Sequence, residues 1–181
     1  MQQPVSDLPQ IKKMFYAMRN GIVADALRKQ GTPFRMIYGV NIPQLTDIAA
    51  QVSHDAATAQ ALWDDHNVRE CMLLAPMIYP QELFDESTAM RWITSATTQE
   101  AIDILCLRLL RHRPFAYNLA ETLTEADSAI ERYAALRIMF NLLPSNTDKT
   151  KAHAEAEMTR EHPATYGIAR ALLDEIEFIE C

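Results

Sequence analysis

The sequence predicts an all-α protein, a right-handed α-α superhelix (solenoid) of stacked helix pairs forming one domain over residues 1–181. Three observations carry that expectation. Apolar residues recur at helical spacing along most of the chain, the mark of amphipathic helices. No alternating apolar–polar run is bounded by the turns a strand needs, and only four glycines serve tight turns. Three helical runs also resemble one another: Arg69-Glu70-Cys71-Met72-Leu73, Asp103-Ile104-Leu105-Cys106-Leu107 and Arg132-Tyr133-Ala134-Ala135-Leu136. Their offsets are about 34 and about 29 residues, within the range of helical repeat units. Each follows a shorter helix, so the units read as pairs that stack. An irregular helical bundle is the alternative.

The elements follow in order. Two helices fill the first thirty residues, Leu8 to Met18 and Ile22 to Lys29. Gly31 to Pro43 holds two Gly and two Pro and reads as a loop. Pro43 suits the first turn of a helix reaching about Ser53. Asp55 caps the next, to Asp64. Asn67 caps a helix from Val68 to Tyr79, which Pro76 shortens or kinks, and Ser87 caps one to about Thr94. Thr97 and Glu100 form a T-x-x-E capping box for a helix running toward His112. Pro114 starts the next, to about Leu123, and Ala126 or Asp127 begins a long one to Leu143. After the loop P-S-N-T-D-K-T come a polar helix from about Lys149 to Glu161 and a last one from His162 to about Phe178.

Composition excludes several classes. A hydrophobic fraction of 49% supplies a real core, and the net charge is -7. That balance argues against a broad, non-specific nucleic-acid surface, which needs Lys and Arg to displace counterions. A local basic patch stays open. Cys71, Cys106 and Cys181 have no paired spacing; the first two sit in apolar helical patterns, as free thiols in a reducing compartment do. The start M-Q-Q-P-V-S-D lacks a signal-peptide pattern, and no apolar run approaches the ~20 residues that span a bilayer. A cytoplasmic location without membrane contact is expected. Five His fall in no ligand spacing and no Gly-rich phosphate loop occurs, so neither metal nor cofactor is expected. Trp63 and Trp92, in apolar helical surroundings, read as core.

Asp103 stands out. It lies at the margin of the apolar face formed by Ile102, Leu105, Cys106, Leu109 and Leu110. A carboxylate there is costly unless paired. The repeat alignment puts Arg69, Asp103 and Arg132 at equivalent positions on one face. Asp103 is then either part of a site or one half of an Asp103–Arg132 ion pair that registers the stack.

Three segments are similar to motifs of a known family. Tyr38-Gly39-Val40-Asn41-Ile42-Pro43-Gln44-Leu45 resembles G-V-x-x-P-x-L-R. Leu62 to Glu70, L-W-D-D-H-N-V-R-E, resembles a second conserved stretch, and Gln99-Glu100-Ala101-Ile102-Asp103 aligns with W-D-x-V-D. In order and spacing these resemble the AlkD-type DNA alkylation-repair glycosylases, built from HEAT-like repeats, over roughly Phe34 to Ile176. The resemblance implies that Asp103 is the catalytic carboxylate. Arg132, in Ala129-Ile130-Glu131-Arg132-Tyr133-Ala134, is implied as the cleft arginine. Such enzymes release cationic N3- or N7-alkylpurines through an oxocarbenium-like sugar, which a carboxylate stabilises. Their Trp faces hold the lesion by cation–π contact, worth about 0.5–2 kcal/mol each. Here Gln99 and Ala171 stand where those Trp residues would be.

The resemblance thus implies a glycosylase, with Arg132 orienting Asp103 or contacting a phosphate, or a relative that only binds damaged or structured DNA. Arg69, Gln99, Arg108, Arg111 and Arg113 are the candidate DNA contacts, the last three in L-R-L-L-R-H-R. That same cluster also suits a helix C-terminus carrying cations against its dipole. The acidic balance keeps open a third class, a scaffold that holds a protein partner on its concave face.

Overall fold

A computed structural model describes residues 5–180. Residues 1–4, part of the start read above for a signal peptide, and Cys181 lie outside the described residues. Eleven α-helices form among the described residues, and the only strand-like features there are isolated bridges, Val5 with Val52 and Met36 with Val68. No helix among them is long and apolar enough to cross a membrane. The chain divides into two compact units, residues 1–84 and 85–181.

The first unit holds α1 (Leu8–Ala17), α2 (Gly21–Lys29), α3 (Ile42–Ala49), α4 (Ala56–Trp63) and α5 (Arg69–Ile78). Asp55 caps α4 as expected, accepting the Thr58 N–H at 2.7 Å; that bond holds its carboxyl below the usual range. Asn41 and Gln44 close a reciprocal capping box that starts α3 one residue before Pro43. Asn67 does not cap α5. Its carbonyl accepts the Met36 N–H at 2.8 Å, and Val68 takes the cap position without a side-chain bond.

Helix α5 packs on α3 and α4 and is buried on all sides from Arg69 to Pro76. Glu70, fully buried, is its anchor. Its carboxylate accepts the backbone N–H groups of Tyr38, Gly39 and Val40 at 3.1, 2.9 and 3.3 Å, and Arg69 at 3.0 Å. A buried charge is tolerable when its acceptor sites are filled in this way. The loop so held passes Gly39 against the α1–α2 turn: its φ is +77°, and a Cβ there would lie 2.2 Å from the Asn20 carbonyl oxygen. Only glycine fits.

The second unit holds α6 (Glu86–Ser95), α7 (Gln99–Arg108), α8 (Ala116–Leu123), α9 (Ala129–Asn141), α10 (Thr147–Met158) and α11 (Pro163–Glu180). Two caps differ from expectation. Asp85, not Ser87, caps α6: its extended backbone lets the carboxylate accept the Thr88 N–H at 2.7 Å, and Ser87 donates to that same carboxylate. Thr98, not Thr97, caps α7 through the Ala101 N–H, which makes Glu100 the second helical residue rather than the third. The helix stops at Arg108, and a 3-10 turn, Leu110–His112, takes over. Helix α9 touches α6, α7, α8, α10 and α11. It is therefore buried around its circumference from Arg132 to Leu136 and again at Ile138 and Met139, as a helix with neighbours on every side must be.

Gly39→Ala combines left-handed strain with a backbone clash and is expected to lower stability by at least about 2 kcal/mol. Gly21→Ala is the control, since a Cβ there meets nothing within 4 Å and its φ is ordinary. That variant should stay within about 1 kcal/mol of wild type, on the stabilising side. Urea midpoints at a common slope check both.

Candidate functional site

The α7 cap sets how that helix is turned. Ile102, Leu105, Cys106 and Leu109 point into the core at 0–1% exposure, and Asp103 falls at the edge of that face with its side chain one-third exposed (33%). Across from it, α9 presents Tyr133 and Arg137, one turn apart on one face. The Tyr133 hydroxyl donates to Asp103 Oδ1 at 2.8 Å. Arg137 Nε sits 3.0 Å from the same oxygen; it is an ion pair by distance, with its N–H not aligned as a hydrogen bond.

Burial raises the Asp103 carboxyl above its ordinary value, against the opposite pull of the Tyr133 hydrogen bond and Arg137. The Tyr133 phenol is pushed up by its own burial and by the bond it donates. Burial likewise pushes up the thiol of Cys106, and that of Cys71 to about 12, so neither is a ready nucleophile.

Arg132 is not brought to Asp103. Its neighbour Tyr133 takes that direction, because each residue along an α-helix turns about 100° from the last. Arg132 instead points into the core at 7% exposure. Its guanidinium pairs with Glu157 of α10 at 3.1 Å and donates to the carbonyls of Ala126 and Asp127 at 2.8 and 2.7 Å. Glu157 also accepts the Thr165 hydroxyl at 2.6 Å. The expected Asp103–Arg132 pair is therefore replaced by two separate pairs.

Arg69 is equally interior at 4% exposure, held by Glu70 and the Val40 carbonyl, so it offers no accessible phosphate contact. Gln99 is exposed, and its amide donates to the Ala164 carbonyl on α11 at 2.6 Å; Ala171, further along α11, is exposed. Of the arginine cluster, Arg111 is exposed beside His112. Arg108 is half-buried in the last turn of α7, and Arg113 is half-buried with its guanidinium 5.7 Å from the Phe115 ring centre.

The sequence reading missed Tyr133 and Arg137. The available signal was their four-residue spacing on the helix that follows α7 in the repeat series: a Tyr and an Arg on one face can share a carboxylate.

Paired helices around an edge carboxylate, answered by a Tyr–Arg pair, define a helical-repeat protein with one polar site on its α7–α9 face. The chain belongs to the DNA alkylation repair enzyme family, which it matches over residues 11–178. Its fold is shared with a solved member of a family related to the HEAT-like repeat DNA glycosylases and described as having affinity for branched DNA structures. The TM-score is 0.79 at 15% identity, over 92% of this chain and 74% of that one. No curated protein matches the chain at a significant level.

Removing one partner of the interior pair leaves the other charge buried, so Arg132→Ala should cost about 3–5 kcal/mol in chemical denaturation. Asp103 behaves oppositely. The native state holds its proton more tightly than the unfolded chain, so the stability it contributes is full below its ordinary value of 3.8 and lost as pH rises through the folded value. Relative to wild type, Asp103→Asn should gain stability between about pH 3 and pH 7. Parallel pH-dependent melts test this; a difference flat with pH would refute it.

Proposed function

We propose that this chain is a DNA-binding member of its family that recognises DNA structure, with the Asp103 face as part of its DNA-contacting surface and a cytoplasmic place of work. One observation carries this reading: Gln99, where the resembling glycosylases have Trp, is a polar tie from α7 to the α11 backbone at Ala164. A cationic base has no aromatic face to rest on there, and that grip is a principal binding element for alkylpurines. Arg137 beside Asp103 further offsets the negative charge that a developing sugar cation would need. The affinity for branched DNA described for the structurally similar protein suggests the kind of DNA to try first.

Base excision is the second reading, and a specific observation favours it. Both contacts to Asp103 fall on Oδ1, and Oδ2 accepts no hydrogen bond among the described residues. A carboxylate whose burial outweighs its pairing is retained at some cost to stability, a common condition at functional sites.

Binding of labelled three-way junction and duplex DNA at several salt concentrations should show tighter junction binding that weakens steeply with salt. Incubation with DNA bearing 7-methylguanine or 3-methyladenine should release no base above background, and Asp103→Asn, which removes a negative charge from that surface, should bind at least as tightly as wild type. Absent or salt-independent binding would sink the DNA reading. Base release by wild type that Asp103→Asn abolishes would replace it with the excision reading.

A further inference from the structure

The acidic balance of the chain conceals a segregation of charge. The first forty residues hold six basic side chains, Lys12, Lys13, Arg19, Arg28, Lys29 and Arg35, against two acids, Asp7 and Asp25, in a chain whose net charge is -7. The same stretch is unusually apolar at its surface. Four of the nine exposed large hydrophobic residues among those described, Tyr16, Ile22, Val23 and Met36, lie within it. A basic surface that also exposes aromatic and thioether groups suits a ligand with both phosphate and a flat apolar ring.

The first unit has a cavity there of about 610 Å³, lined by Tyr16, Arg19, Gly21, Arg28, Met36 and Tyr38 among others. That size falls within the usual range of small-ligand sites. Arg19 lies over the Tyr16 ring, its guanidinium carbon 3.9 Å from the ring centre, and donates to the Tyr16 carbonyl at 2.8 Å. It has no acidic partner among the described residues. Arg28, shared with Asp25 and the Ile37 carbonyl, stands at the same cavity.

The wall is held in place before any ligand arrives. Asn20 N–H donates to the Tyr38 carbonyl at 2.8 Å, and Met36 exchanges backbone hydrogen bonds with Asn67 and Arg69. Glu70 fixes the residues that follow.

We propose that this cavity receives one unpaired nucleotide of a DNA strand, its base stacking on the Tyr16–Arg19 face and against Met36, its phosphates on Arg19 and Arg28. Stacking on an aromatic or guanidinium plane is open to any base, so the cavity selects an unstacked nucleotide rather than a sequence. The inference rests on the reading of the chain as a DNA-binding protein and places a second contact surface in the first unit.

The test uses the full chain, a three-way junction with one unpaired 2-aminopurine nucleotide at the branch, and a fully paired duplex as reference. Wild type should bind the junction roughly tenfold more tightly than the duplex and change the 2-aminopurine emission. Gly21→Phe puts a ring into the cavity from a position with open space around its Cβ and leaves the charge unaltered. Arg19→Ala removes the guanidinium half of the stacking face and one phosphate contact. Both variants should lose the preference and the emission change at an unaltered melting temperature, with Gly21→Phe within about twofold of wild type on duplex.

Wild-type emission that does not change, or variants that keep the preference, would overturn the cavity assignment and leave the DNA reading intact. Wild type that binds neither DNA would overturn both. Displacement of the junction by free dAMP at the concentrations used for the oligonucleotide would assign the cavity to a free nucleotide and overturn the strand assignment.

Discussion

The interior pair of Arg132 and Glu157 organises the second unit. One guanidinium reaches the carbonyls of Ala126 and Asp127 just ahead of α9, and Glu157 on α10, which in turn takes the hydroxyl of Thr165 on α11. Three helices and a turn are thereby set in rotation by one cation. Apolar packing alone would fix α9 loosely, since it is apolar on nearly every side and a helix of that kind can turn without exposing much. The buried charge removes that freedom, because any turn of α9 would strip Arg132 of its partners at a cost of several kcal/mol. With Arg132 directed inward, Tyr133 and Arg137 are directed at α7, so the state of Asp103 is set by a pair it does not touch.

The first unit uses the same device with the opposite sign. There the carboxylate of Glu70 gathers three backbone N–H groups and Arg69, and the structure so held is a loop. Glycine at 39 is what allows the loop to lie against the Asn20 carbonyl. The consequence reaches the cavity, whose wall between Met36 and Tyr38 is positioned by hydrogen bonds to α5, to the residue before its cap and to the α1–α2 turn. A binding surface on a loop is useful only if the loop is held in one arrangement, and Glu70 supplies that restraint from inside.

Much of this was legible in the residues. All eleven helices, the cap at Asp55 and the helix-pair organisation follow from spacing and cap chemistry that act locally. The misses are small shifts with large angular effects. At α7 two adjacent Thr residues both qualify as caps, and the choice between them depends on which backbone goes extended; Thr98 does. At α9 the repeat alignment selected Arg132, and its neighbour one position on faces the site. Sequence gives an alignment of positions, whereas a side chain's direction on a helix surrounded on five sides is decided by which neighbour carries the complementary charge. Glu157 lies 25 residues from Arg132, beyond any local pattern. The basic cluster of the first forty residues was readable but has no periodicity, being divided between two helices and a loop.

Net charge is a weak guide to what such a chain binds. At physiological salt the field of a surface charge fades within about 10 Å, so a phosphate at one patch is governed by the groups beside it and scarcely by the total. The acids lie mainly after residue 40, where 22 of the 24 are found, and two of these, Glu70 and Glu157, are buried and answered by arginine. They contribute to the formal sum without presenting negative charge to a strand. Asp103 is a different case, being part-exposed and only partly offset by Arg137. A carboxylate so placed repels a phosphate that approaches it and attracts a cation, so a strand on this face would keep its phosphates away from Asp103 and turn sugar or base toward it. That orientation is the one a glycosylase needs. It would also serve a protein that has kept the geometry of base recognition after losing the aromatic grip.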